Sequence, residues 1–108
     1  VDENTLKSRR ALTVPRYIVL GNFAAKGIED VAHAPNRDEA ALNMIKQAGG
    51  KAEIYYTMGD YDFVAIMEMP DDDSMLKFLL RMDKMRYVVT RTMKAWNEAE
   101  FTKIVSQL

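Results

Sequence analysis

A chain of 108 residues, 48% of them hydrophobic, suits one domain with a small packed core. Its 15 basic and 16 acidic residues nearly cancel, which argues against a nucleic-acid binder, whose surface carries a basic excess. The lack of cysteine excludes disulfides, a thiolate nucleophile and a zinc finger, and no apolar run approaches the roughly 20 residues that span a bilayer.

Residues 1–15 carry few apolar side chains and no clear period, and are expected to be an N-terminal extension to a domain over 16–108. Lys7, Arg9 and Arg10 are not followed by a long apolar segment, so no secretory leader is expected and a soluble, cytoplasmic protein is the expectation. A first strand runs from Arg16 to Phe23. Tyr17, Val19 and Phe23 alternate there with Ile18 and Leu20, so both faces are apolar and both should be covered. A weakly helical piece from Lys26 to His33 gives way at Ala34-Pro35, because the residue before a proline avoids the helical region. Asn36, with Glu39 three residues on, then has the spacing of a capping box. Ala41, Leu42, Ile45 and Ala48 make one apolar stripe, and Gly49-Gly50 supplies the left-handed turn that ends the helix.

The second strand, about Lys51 to Met58, is rich in strand formers such as Ile54, Tyr55, Tyr56 and Thr57. Gly59-Asp60 predicts a tight turn, and the chain returns as a strand from Tyr61 to Met69. Phe63, Ala65 and Met67 point one way. Val64 and Ile66 point the other, with Asp62 and Glu68 at the ends of their row. Pro70 stops this strand and Asp71 is placed to cap a helix, with Asp72 and Asp73 at the positive end of its macrodipole. Met75, Leu76, Leu79, Leu80 and Met82 are its expected buried face, and it should end near Lys84. The last strand covers roughly Arg86 to Trp96. Asn97 and Glu100 repeat the capping-box spacing, and Phe101, Ile104, Val105 and Leu108 fall on one face of a closing helix.

The order β-α-β-β-α-β plus a terminal helix is the α+β, ferredoxin-like arrangement: a four-stranded antiparallel sheet with helices on one face. The other face is also apolar, and a second copy paired by two-fold symmetry would cover it, so a homodimer is expected.

Tyr17-Ile18-Val19-Leu20, Gly27-Ile28, Gly49-Gly50, Tyr55, Met58-Gly59-Asp60-Tyr61-Asp62, Glu68, Pro70-Asp71 and Arg91-Thr92 together resemble the GYD domain family, over about Arg16 to Val105. The hairpin that names the family is matched by Gly59-Asp60-Tyr61-Asp62. The resemblance implies membership of the dimeric α/β-barrel superfamily, which holds heme enzymes, cofactor-independent monooxygenases, small isomerases and ligand-sensing domains. Fold alone therefore does not choose a function. One position departs: the family commonly has Gly-Asn entering the last strand, where this chain has Met85-Arg86-Tyr87. The turn there is expected to differ.

Five residues stand out as candidate site residues. His33, the only histidine, could act as a general base, or sit on ordinary surface. Arg37 could hold a carboxylate or phosphate, or be solvated. Asp62 and Glu68 share a row and could bind ligand or move a proton beside an inter-sheet space, or bond across a dimer. Arg91 within a strand calls for a carboxylate, with Glu68 or Asp62 as its expected partner. Tyr55, Tyr56, Tyr61 and Trp96 read as core or interface aromatics, and the eight methionines as flexible filler or adaptable ligand contacts. Asp71 to Asp73 lack the glycine and bidentate glutamate of a calcium loop, so no metal is expected, and no cofactor motif is present.

Three functions fit. The first is a non-catalytic small-ligand-binding or assembly module. The second is a cofactor-independent monooxygenase or isomerase using His33 with Asp62 or Glu68 as acid/base pair. The third is a purely structural oligomer. A mainly apolar pocket with one anchoring charge favours the first, a pocket holding His33 and a carboxylate the second, and a chain without a cavity the third.

Overall fold

The computed structural model describes residues 14–108, so the extension read over residues 1–15 lies outside it apart from Val14 and Pro15. Strands β1 (Arg16–Phe23), β2 (Lys51–Tyr56), β3 (Phe63–Glu68) and β4 (Val88–Ala95) form one antiparallel sheet in the order β2-β3-β1-β4. The helices are α1 (Ala25–Glu29), α2 (Ala34–Gln47), α3 (Asp72–Met85) and α4 (Glu98–Val105), with a 3₁₀ turn at Val31–His33. The fold is α+β and ferredoxin-like, with an added C-terminal helix.

Register sorts the side chains into two faces. Tyr17 pairs with Met67 and Val19 with Ala65; Ala52 and Ile54 of β2 oppose the same two β3 residues. These residues meet Ile45 of α2 and Met75 of α3 in the buried core, which Met69 completes. Ile18 opposes Ile66 and Met93, and Leu20 opposes Val64, on the other face. No long helix covers that side, and Tyr55, Ile66, Val89 and Met93 are exposed there. At Gly21 an added Cβ would lie 2.0 Å from the Phe63 ring, so the missing side chain is what lets that ring lie across β1.

Local chemistry sets the element ends. The Asp71 carboxylate accepts from the Ser74 N–H at 2.7 Å and caps α3. The predicted box at α4 forms: Asn97 Oδ1 accepts from the Glu100 N–H at 2.8 Å, and Glu100 Oε1 from the Asn97 N–H at 2.9 Å. The Tyr17 hydroxyl donates to Asp72, and Lys94 pairs with the same carboxylate at 3.0 Å, which ties the start of α3 to β1 and β4. Tyr17 holds its proton well above the ordinary range, first through burial and then through that bond.

Four expectations need correction. The second helix does not start at Asn36. It starts at Ala34, and no side chain caps it. Pro35 sits in the first turn, where a missing N–H leaves no helical bond unmade, so it opens the helix rather than delaying it. Leu76 and Leu80 of α3 face solvent; Met75, Phe78, Leu79 and Met82 turn inward at i, i+3, i+4 and i+7. The β2–β3 connection is a wider loop over residues 57–62. The Thr57 N–H donates to the Asp62 carbonyl at 2.9 Å and the Thr57 hydroxyl to the Tyr61 carbonyl at 2.6 Å. Gly59 takes φ +125° in open space, so backbone conformation alone requires glycine there. Arg86, read as the first residue of the last strand, instead caps α3 in a left-handed conformation at φ 60°, and β4 begins at Val88.

Candidate functional site

Between the covered sheet face and helices α2 and α3 lies a cavity of about 170 Å³. Its walls are almost wholly apolar: Val19, Ile54 and Met67 from the sheet, Met44 and Ile45 from α2, and Phe78, Leu79 and Met82 from α3. Small side chains create the space. Ala34, Ala40, Ala41, Ala52 and Ala65 line it, where larger residues would close it. The polar-tipped lining residues are Arg37, Asp38, Tyr56, Tyr87 and Thr90.

Tyr56 ends β2 and is 51% exposed, so the cavity meets solvent beside it. Its hydroxyl donates to the Asp38 carboxylate, with oxygen distances of 2.7 and 3.0 Å. Burial chiefly, and Asp38 next, raise the phenol's pKa, so at neutral pH Tyr56 keeps its proton and remains a donor. Phe23 stacks against the Tyr56 ring at 6.0 Å, and Phe63 packs tilted against both.

Arg37 also lines the cavity, but its guanidinium is occupied. It donates to the Asp30 carboxylate and carbonyl at 3.0 Å each, and to the Gly27 carbonyl at 3.3 Å. It also lies over the Tyr87 ring at 4.3 Å, as does Lys26. These contacts bind α1 and the 3₁₀ turn to the start of α2. His33 is 65% exposed, is absent from the cavity lining, and meets Asp30 at 2.6 Å. That contact is the largest cause of a lowered Asp30 pKa.

The two candidate carboxylates are engaged elsewhere. Asp62 Oδ2 accepts from the Phe23 N–H at 2.8 Å, and the Asp62 N–H donates to the Gly21 carbonyl at 2.9 Å. Asp62 thus adds a last rung between β1 and β3, a structural task for the family's terminal aspartate. Glu68 pairs with Arg16 at 3.0 Å and Lys51 at 3.5 Å on the open face. Arg91 lies on that face opposite Leu20, and its guanidinium makes no hydrogen bond or ion pair with another described residue. Of the five candidates, then, only Arg37 lines the cavity, and His33 does not meet Asp62 or Glu68.

Asp38 and Tyr56 are the pair that sequence reasoning missed. A signal existed: Asp38 falls four residues after Ala34, three before Ala41 and seven before Ile45, a carboxylate on the inward stripe of α2. Among the described residues, no group of three or more His, Asp or Glu could hold a metal ion, and no helix is long and apolar enough to cross a membrane.

The sequence model of the GYD domain matches residues 17–105. The chain belongs to the GYD domain family. The hairpin of this GYD domain is therefore the loop that Thr57 and Asp62 close. No curated protein matches the chain. Among solved structures it is similar to PA3566 from Pseudomonas aeruginosa, with 15% identity and a TM-score of 0.50, over 80% of this chain and 96% of that one. It is also similar to a mutant chlorite dismutase from Candidatus Nitrospira defluvii, with 15% identity and a TM-score of 0.43, over 94% of this chain and 51% of that one. The first likeness is one of fold.

Proposed function

We propose that this GYD domain is a non-catalytic module that binds a small apolar ligand, about one aromatic ring in size, and acts as a homodimer. The cavity carries the proposal. Its volume of about 170 Å³ compares with the engineered apolar cavity of about 150 Å³ that admits benzene. Apolar walls with a few polar groups on one side are the usual make-up of a small-molecule site. The catalytic alternative has less support, because His33 stands outside the cavity and Asp62 and Glu68 serve backbone and ion-pair partners. In this reading Arg37 builds the wall and Arg91 belongs to the dimer surface. The partner's sheet would cover Ile18, Leu20, Val64 and Ile66, a continuous apolar patch on the face turned away from α2 and α3.

An amide NMR titration with toluene tests the binding. Shifts are expected to cluster at Ala41, Met44, Ala65 and Leu79, and to vanish in Ala41→Leu, which fills the space. Shifts scattered over the surface, or none at all, would sink the reading. Sedimentation equilibrium tests the dimer: a mass near twice 12.4 kDa is expected, and a single-chain mass at tens of micromolar would remove that half of the proposal.

A further inference from the structure

The cavity has an electrical polarity that its apolar walls conceal. Two charged side chains line it, Arg37 and Asp38, and they are neighbours in sequence. They differ in what already holds them. The Arg37 guanidinium donates to Asp30 and Gly27, so its charge is answered outside the cavity. Asp38 has no cation within ion-pair distance among the described residues; its partner is the neutral Tyr56 hydroxyl. One hydroxyl leaves most of a carboxylate's acceptor capacity open, since the two oxygens offer about four lone-pair sites. The opening beside Tyr56 therefore presents a net negative group next to an apolar pocket.

We propose that the cavity selects a single-ring aromatic ligand bearing a cationic or hydrogen-bond-donating head, such as an aryl-methyl ammonium, and disfavours aromatic carboxylates. The inference rests on the ligand-binding reading above and names the ligand's class. The ring fills the alanine-lined space, and the head donates to Asp38 at the opening. An ammonium there gains a charge-assisted bond. A carboxylate of similar size meets the like charge of Asp38, and the nearby donors already have acceptors, Tyr56 in Asp38 and Arg37 in Asp30.

Calorimetric or NMR titration with three similar probes, toluene, benzylammonium and benzoate, tests this. Benzylammonium is expected to bind at least about tenfold more tightly than benzoate. In Asp38→Asn, whose side-chain oxygen can still accept from Tyr56, the gap is expected to close to within about twofold. Glu39→Gln removes the same charge from an exposed position of α2 that does not line the cavity, and is expected to leave the gap in place. Toluene binding without an ammonium preference would overturn the selectivity alone. A preference that survives in Asp38→Asn would overturn the role of Asp38. Failure of all three probes to bind would overturn the ligand-binding reading and this inference together.

Discussion

The two faces of one sheet show how alternation along a strand divides labour. On the covered face, Tyr17, Val19, Ala65 and Met67 are buried under α2 and α3, and the space left over becomes a cavity. On the open face, one residue along in each strand, Ile18, Leu20, Val64 and Ile66 are no less apolar, yet Ile66 remains 40% exposed. Hydrophobicity alone therefore does not separate core from surface in this chain. What separates them is how much helix the chain supplies.

The comparison can be broken most severely from the covered side. Met75→Ala empties a site that is 2% exposed and is expected to lower unfolding free energy by about 2–5 kcal/mol in a denaturant melt. Gly21→Ala forces the Phe63 ring off β1. It should cost about 1–3 kcal/mol and change the near-ultraviolet circular dichroism of the Phe23–Tyr56–Phe63 cluster. At the end of α3, Arg86→Gly relieves a left-handed backbone and is expected to stabilise the fold by about 1 kcal/mol, seen as a higher Tm.

Smaller effects are expected on the open side. Glu100 accepts from the Asn97 N–H and from Arg16, and the two contacts hold its carboxyl below the ordinary value of 4.5. A depressed pKa stabilises the fold above the unfolded value, and that contribution is lost as pH falls through the folded one. Helicity of α4 should thus decline as pH drops below about 4.5, and Glu100→Gln should flatten the decline in an acid titration followed by circular dichroism. Smallest for the single chain is Ile66→Lys, which should change monomer stability by no more than about 0.5 kcal/mol. The same substitution should abolish self-association in sedimentation. Retained dimers would mean that the open face is not the interface.

Much of the fold was legible because it is written locally. The alternation of Tyr17 and Val19 with Ile18 and Leu20 marks β1 from Arg16 to Phe23, where the structure has it. Asp71 and the Asn97–Glu100 box reach only three residues along the chain, so sequence spacing defines them. The start of α2 was less legible, because proline discourages a helix before it and suits a helix's first turn, and only packing decides between the two. Leu76 and Leu80 were misjudged because a stripe rich in leucine can be rotated by one position without losing its period. The lining of the cavity was not legible. It is the sum of five alanines contributed by α2, β2 and β3, and no one of them announces a void. Nor was Asp38–Tyr56, whose partners lie 18 residues apart and meet only when α2 folds onto β2.

Lys26 and Arg37 both close on the ring of Tyr87 to 4.3 Å from its centre. The electron-rich ring attracts both cations, and the Asp30 carboxylate, 3.0 Å from Arg37, offsets their repulsion. The same grouping holds α1, α2 and the approach to β4 together at one point. A leucine in place of Tyr87 would preserve much of the bulk but none of the attraction. Each cation would lose about 0.5–1 kcal/mol of attraction to the ring, and α1 would be left to the Arg37–Asp30 pair, the Lys26 bond to the Met85 carbonyl and the Ala24 bond to the backbone of residue 87.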